Sequence, residues 1–133
     1  MAEVVLTSAG IELVAEAIAR GLDRGQAPGS LELMSERGSG GTVLAVLALA
    51  HPAAITPGRG RIEFHSIQEE PDAPGGARTV WARFRNAEGA VLLECDVGLE
   101  RSKAAIELDE IQIRPGDVVR IKSLVLTLRT AQG

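Results

Sequence analysis

The sequence predicts a mainly β protein: an antiparallel β-sandwich or jelly roll carrying one N-terminal helix, folded as a single domain over residues 1–133. Three observations predict it. The chain has the length of one domain, and its 45% hydrophobic and 24% charged residues are the balance of a globular core, not of a disordered or collagen-like chain. Only one stretch near the start carries clear helical periodicity. After it come about seven short apolar segments, separated by turn residues every eight to twelve positions as in a β-sandwich. A parallel α/β fold needs crossover helices between its strands, and the later chain offers no pattern for them.

Residues 1–9 contain the apolar run Val4, Val5 and Leu6, either an arm that pairs with a neighbour's sheet edge or the domain's own first strand. Ile11, Val14, Ala15, Ile18 and Leu22 then recur at three-and-four spacing and predict a helix over residues 10–25. Thr7 or Ser8 caps it, Glu16 and Arg20 support it four residues apart, and Gly21 or Gly25 ends it. Its alanines are expected to add propensity and little burial. From Pro28 and Gly29 the period changes to two, opening the sandwich region, residues 30–130. Leu31 and Leu33 mark its first half-buried strand, and Ser39, Gly40 and Gly41 a flexible joint. Residues 43–50 are apolar on both parities, as a strand covered on both sides would be, with the helix as one cover. A second helix is the competing assignment there.

His51 and Pro52 end that run; Thr56, Pro57 and Gly58 predict a turn, and residues 61–65 another alternating strand. Residues 69–76 hold two prolines, two glycines and three acids, which predicts a loop too polar and too poor in packing groups to join the core. Residues 78–85 and 91–97 predict a hairpin around the turn residues 86–89. In its first strand Val80, Ala82 and Phe84 face one way and Thr79, Trp81, Arg83 and Arg85 the other; in its second Val91, Leu93, Cys95 and Val97 share a face. Two more strands are expected, over residues 105–108 and 118–129, the latter after Pro115 and Gly116 in positions that suit a type II turn. Apolar parity shifts within the last strand, from Val119 and Ile121 to Leu124, Leu126 and Leu128, which predicts a bulge near Lys122 and Ser123.

Charge and residue chemistry remove several classes of function. With 14 basic against 18 acidic residues the net charge is −4, and no concentrated basic face offers phosphates the counterion release on which nucleic-acid affinity depends. The first residues lack the basic region and long apolar run of an export signal, and no segment is long enough for a membrane span. One cysteine, Cys95, closes no internal disulfide, and its parity with Leu93 and Val97 marks it as a small core residue and not a nucleophile. His51 and His65 have no third ligand at metal-binding spacing. Glu94 and Asp96 lie side by side on one strand face, where glycosidase carboxylates would converge across a cleft. Glu69, Glu70 and Asp72 lack the spacing of a calcium loop, and the glycines at 38, 40 and 41 lack the Gly-Lys-Ser/Thr ending of a phosphate cradle. The expectation is therefore no enzyme, no metal and no cofactor. A carbohydrate-binding module stays open as an alternative, although aromatic residues are only 2% and Trp81 is the one sugar platform on offer. The candidate partner contacts are Val4, Val5 and Leu6 of the arm, Gly40 of the joint, Glu69, Glu70 and Asp72 of the acidic loop, and Trp81.

The order of motifs resembles a group of small tailed-bacteriophage virion proteins. The resemblance lies in Gly29-Ser30-Leu31-Glu32-Leu33 after a helix and in the run from Val43 to His51 and Pro52. It continues through Trp81-Ala82-Arg83-Phe84-Arg85-Asn86-Ala87-Glu88-Gly89, Leu93-Glu94-Cys95-Asp96-Val97-Gly98, Ile111-Gln112-Ile113-Arg114-Pro115-Gly116-Asp117 and Leu124-Val125-Leu126-Thr127-Leu128. It spans about residues 10–130, and its motifs are structural rather than catalytic. The group's threonine-glycine-x-arginine-proline turn after the first strand is replaced here by Ser35-Glu36-Arg37-Gly38-Ser39. The resemblance implies a β-sandwich or jelly-roll protein, made in the bacterial host cytoplasm, that decorates and cements the capsid surface. It would bind the major capsid protein lattice as a homodimer or homotrimer. A small tail or baseplate component is the alternative within the same group.

Overall fold

The computed structural model of the chain describes residues 2–121 and 124–129. It is mainly β with one helix. The helix, α1 (Ser8–Leu22), begins where the Thr7 hydroxyl accepts the Gly10 N–H at 3.2 Å, satisfying one of the donors that a first helical turn leaves bare. It ends before the expected residue 25, because Asp23 is engaged elsewhere. The Asp23 carboxylate accepts the Ala53 N–H at 2.8 Å, and its carbonyl oxygen lies 3.0 Å from His51 Nε2. Ile11, Ala15, Ala19 and Leu22 are the buried stripe. Ala19 thus takes the inward place expected of Val14, and the alanines contribute burial after all.

Ten strands follow among the described residues: β1 (Ser30–Met34), β2 (Val43–Ala48), β3 (Ala54–Gly58), β4 (Arg61–Phe64), β5 (Ala77–Arg78), β6 (Trp81–Arg85), β7 (Val91–Leu99), β8 (Ile106–Leu108), β9 (Gln112–Ile113) and β10 (Val125–Thr127). They form a five-stranded sheet ordered β2-β1-β6-β7-β8, a three-stranded sheet ordered β10-β4-β3, and the pair β5-β9. The pairs are antiparallel except β7 with β8, which run parallel with Val97 opposite Ile106 and Leu99 opposite Leu108. This corrects the expectation of an antiparallel fold throughout. The link, residues 100–105, is far shorter than a crossover helix, and side chains hold its reversal. The Glu107 carboxylate accepts the Arg101 and Lys103 N–H groups at 3.1 and 2.9 Å, and Asp96 accepts that of Ala105 at 2.8 Å. Arg101 and Lys103 take φ values of 70° and 68°, a left-handed conformation uncommon outside glycine.

Several other expectations change. Residues 43–48 are a strand and not a helix, but their two-parity hydrophobicity has another cause. The β1–β2 register shifts after Leu33, so that Leu44 is an extra buried residue, while Val46 on the outer face stays 40% exposed. The helix packs on β3, β4 and β7. Thr56, Pro57 and Gly58 belong to β3, whose register with β4 shifts between Ile55 and Gly58; the reversal comes after, at Arg59 and Gly60. Thr79 is fully buried and Val80 is 40% exposed, the opposite of the expected faces. The Thr79 hydroxyl donates to Met34 O at 3.0 Å and the chain there leaves β5 before entering β6, so alternation restarts at Trp81. The predicted turn at Pro115 and Gly116 forms, with Asp117 N–H donating to Arg114 O at 3.0 Å and Gly116 at φ 89° as a type II turn requires. Parity does shift between Ile121 and Leu124, both buried, whereas the bulge expected at Lys122 and Ser123 lies outside the described residues.

The core joins the sheets. Leu31, Leu33, Leu47, Ala82 and Phe84 of the five-stranded sheet cluster with Ile113, Val119, Ile121 and Leu124, and with Leu22 at the end of the helix. Phe64 of β4 stacks on Phe84 of β6 at 5.1 Å between ring centroids, tying the three-stranded sheet to the larger one.

Candidate functional site

The outer face of the five-stranded sheet carries the densest set of ordered polar side chains. Alternation on β6 sends Ala82 and Phe84 inward and Trp81, Arg83 and Arg85 outward. Register places Glu32 of β1 and Glu94 of β7 on either side of Arg83. Glu32 Oε1 accepts from Arg83 at 2.9 Å and Arg85 at 2.8 Å, so one half-buried carboxylate holds two guanidinium groups. Trp81 Nε1 donates to Glu94 at 2.8 Å, and the Arg37 guanidinium lies 4.7 Å above the indole ring.

Arg37 belongs to the loop that also carries Gly40. That loop is closed by Thr42 N–H donating to Ser35 Oγ at 2.8 Å and by Ser35 N–H donating to Thr42 O at 3.0 Å. The structure therefore brings two candidate contacts, Trp81 and the Gly40 loop, into one patch. No periodicity signals this meeting, since it depends on a cation stacking across two elements.

The acidic loop is placed differently. Its backbone seals the outer edge of β2, with Gln68 N–H donating to Ala48 O and Gly75 N–H to Leu44 O, both at 2.9 Å. Glu70 and Val119 exchange two backbone bonds at 2.8 Å, and Ala73 is buried at 1% exposure with its N–H on Asp117 O. This corrects the expectation of a loop without packing. Glu69 and Asp72 remain exposed, Glu69 within 3.7 Å of Arg120, while Glu70 turns its carboxylate to the Asp72 N–H at 3.2 Å. In the arm, Val4 is 90% exposed, Val5 50% and Leu6 44%, and the arm stands apart from the sheet rather than forming a first strand.

The groups tested for chemistry do not converge. Cys95 faces inward opposite Ala82, and burial, then the Asp96 carboxylate, push its thiol from 9.0 up to about 12, away from the nucleophilic thiolate. Glu94 and Asp96 are each committed, one to the Trp81 indole and one to the Ala105 amide. His51 meets Asp23 at the end of the helix, while His65 uses its backbone N–H on Ala53 O. Among the described residues no three His, Cys, Asp or Glu side chains gather as a metal site would require, and no helix is long and apolar enough to cross a membrane. No family model, curated protein or solved structure matches the chain.

Proposed function

We propose that the protein is a structural component of a tailed-bacteriophage virion, a sandwich of jelly-roll type that decorates the capsid surface and cements the major capsid protein lattice as a homo-oligomer. The observation that carries this reading is where the resemblance falls. Its segments are β1, β2, β6, β7, β9 with the Pro115 turn, and β10, so what is shared is a framework and its turns. A cement protein acts by binding the assembled shell more tightly than its separate parts, and weak contacts repeated over a lattice add up. That job needs ordered surface rather than a reaction centre. The rigid outer sheet face and the stitched acidic loop supply such surface, and a net charge of −4 gives no pull toward packaged DNA. The carbohydrate alternative is weakened by Trp81, whose indole N–H and one ring face are already taken by Glu94 and Arg37.

The test is made on particles. The protein should co-purify with virions in stoichiometric amounts, and shells lacking it should rupture at lower temperature or milder osmotic shock. Shells of unchanged stability would count against cementing. Electron microscopy of labelled particles separates the capsid surface from the tail or baseplate, and label at the tail would move the protein there.

A further inference from the structure

We infer that the apolar arm, residues 2–7, is an exchanged strand: it pairs antiparallel, in a second copy of this chain, with the edge of β10 that is open among the described residues. The inference concerns the oligomer alone and stands or falls without the virion reading.

The slot is built by two sheet edges. Among the described residues β10 pairs only with β4, on the side where Phe64 N–H donates to Leu124 O and Leu128 N–H to Gly60 O. By alternation, the N–H and C=O groups of Val125 and Thr127 point to the opposite side. Across from them β8 covers only Val97 to Leu99 of β7, which among the described residues leaves 93–96 at an edge. Between the two edges lies a cleft of about 430 Å³, bordered by Leu93, Cys95, Leu126 and Leu128. Open strand edges recruit further strands, and this one is flanked by apolar side chains on its inner side.

The arm fits the slot in its side-chain pattern. With Val5 opposite Val125 and Glu3 opposite Thr127, the bonding groups of both pairs face each other. Val4 and Leu6 then turn into the cleft beside Leu126 and Leu124, and Val5 covers Val125, which is 49% exposed in the single chain. Glu3 comes to the outer face, in the row of Thr127 and its β4 neighbour Arg61.

The antiparallel direction calls for a second copy, because of where the arm starts. Ser8 borders the same pocket as Thr127, Leu128 and Arg129. In the antiparallel register Thr7 must lie past Leu124, roughly 15 Å further along the strand. The chain's own arm is anchored at the wrong end to make this pairing, whereas a neighbour's arm is not.

The test uses the full chain with Val5→Cys and Val125→Cys in a Cys95→Ala background. Directly opposed residues of a hydrogen-bonded antiparallel pair have Cα atoms about 5.5 Å apart, within disulfide range. Mild oxidation should give a disulfide-linked species of two or more chains. Sedimentation of the unmodified protein should show the same multiple of the chain mass, and deletion of residues 2–6 should return it to one chain. A single-chain mass for the unmodified protein, a disulfide formed within one chain, or an assembly that survives the deletion would each overturn the inference.

Discussion

Cys95 sits on β7 opposite Ala82, and its side chain has the company of Leu93 and Val97 that strand parity predicts. Desolvation is the larger cause of its raised thiol, and the Asp96 carboxylate the smaller. In the unfolded chain this thiol ionises near 9.0, and in the folded one near 12, so above pH 9 the unfolded state loses a proton that the native state keeps. Stability contributed by the neutral thiol is therefore complete below pH 9 and is lost as pH rises toward 12, by an amount on the order of a few kcal/mol. The window is unusually clean, because the chain has no tyrosine and its only lysines are Lys103 and Lys122. Urea midpoints measured from pH 8 to pH 11 should fall for the native sequence and fall distinctly less for Cys95→Ala; parallel curves would refute the assignment. Thr79 marks the limit of such parity arguments. It looked like an outward residue of one long strand, yet its hydroxyl reaches Met34 O and it is buried, which only the break between β5 and β6 explains.

At the scale of elements, the joint that orients the helix is the β6–β7 turn. Asn86, only 6% exposed, accepts the Glu88 and Ala90 N–H groups at 3.0 Å each and donates to Gly21 O in the last turn of α1 at 3.1 Å. Arg24 and Glu88 add an exposed ion pair at 3.2 Å, worth little by itself. Asn86→Ala should lower stability by roughly 2 kcal/mol, since it removes two hydrogen bonds that close the turn and one that ties the turn to the helix carbonyl of Gly21. Asn86→Asp should be no milder at pH 7: it keeps the acceptors but sets a carboxylate against the negative end of the helix. Chemical denaturation measures both, and a mild Asp variant would mean that the contact with Gly21 carries little. The turn itself was legible in residues 86–89, and so were β1, β4, β6 and the main part of β7, because half-buried strands alternate. Its docking on the helix was not, because a turn sequence does not say what its asparagine donates to. The parallel direction of β8 was hidden for a related reason: Glu107 and Asp96 set it by capping the link, and neither leaves a trace in local period. In β3, Pro57 and Gly58 resembled a turn because an edge strand with a register shift tolerates the same residues.

For the whole molecule, the decisive segment is the acidic loop. Its composition predicts solvent-facing chain, and its polar side chains do face solvent, but its backbone donors are spent on distant acceptors. Gln68 and Gly75 bind β2, Glu70 binds Val119, Ala73 binds Asp117, and Gly76 binds Ile113. Nothing within residues 69–76 announces those partners, since each lies twenty or more residues away in sequence. The arrangement blunts the outer edge of β2, which would otherwise invite uncontrolled strand pairing. It also presents Glu69 and Asp72 from a backbone that is already ordered, so docking on a protein lattice would cost little of the loop-ordering entropy that weakens flexible contacts. Hydrogen exchange distinguishes this from a solvent loop. The amides of Gln68, Glu70, Ala73, Gly75 and Gly76 should exchange at rates close to those of the β1 and β6 amides, since their release requires opening the sheet edge. The amides of Glu88 and Gly89, in an exposed turn, should exchange much faster. If residues 68–76 exchange as fast as that turn, the edge is open in solution and the rigid acidic surface that the proposed capsid contact needs disappears with it.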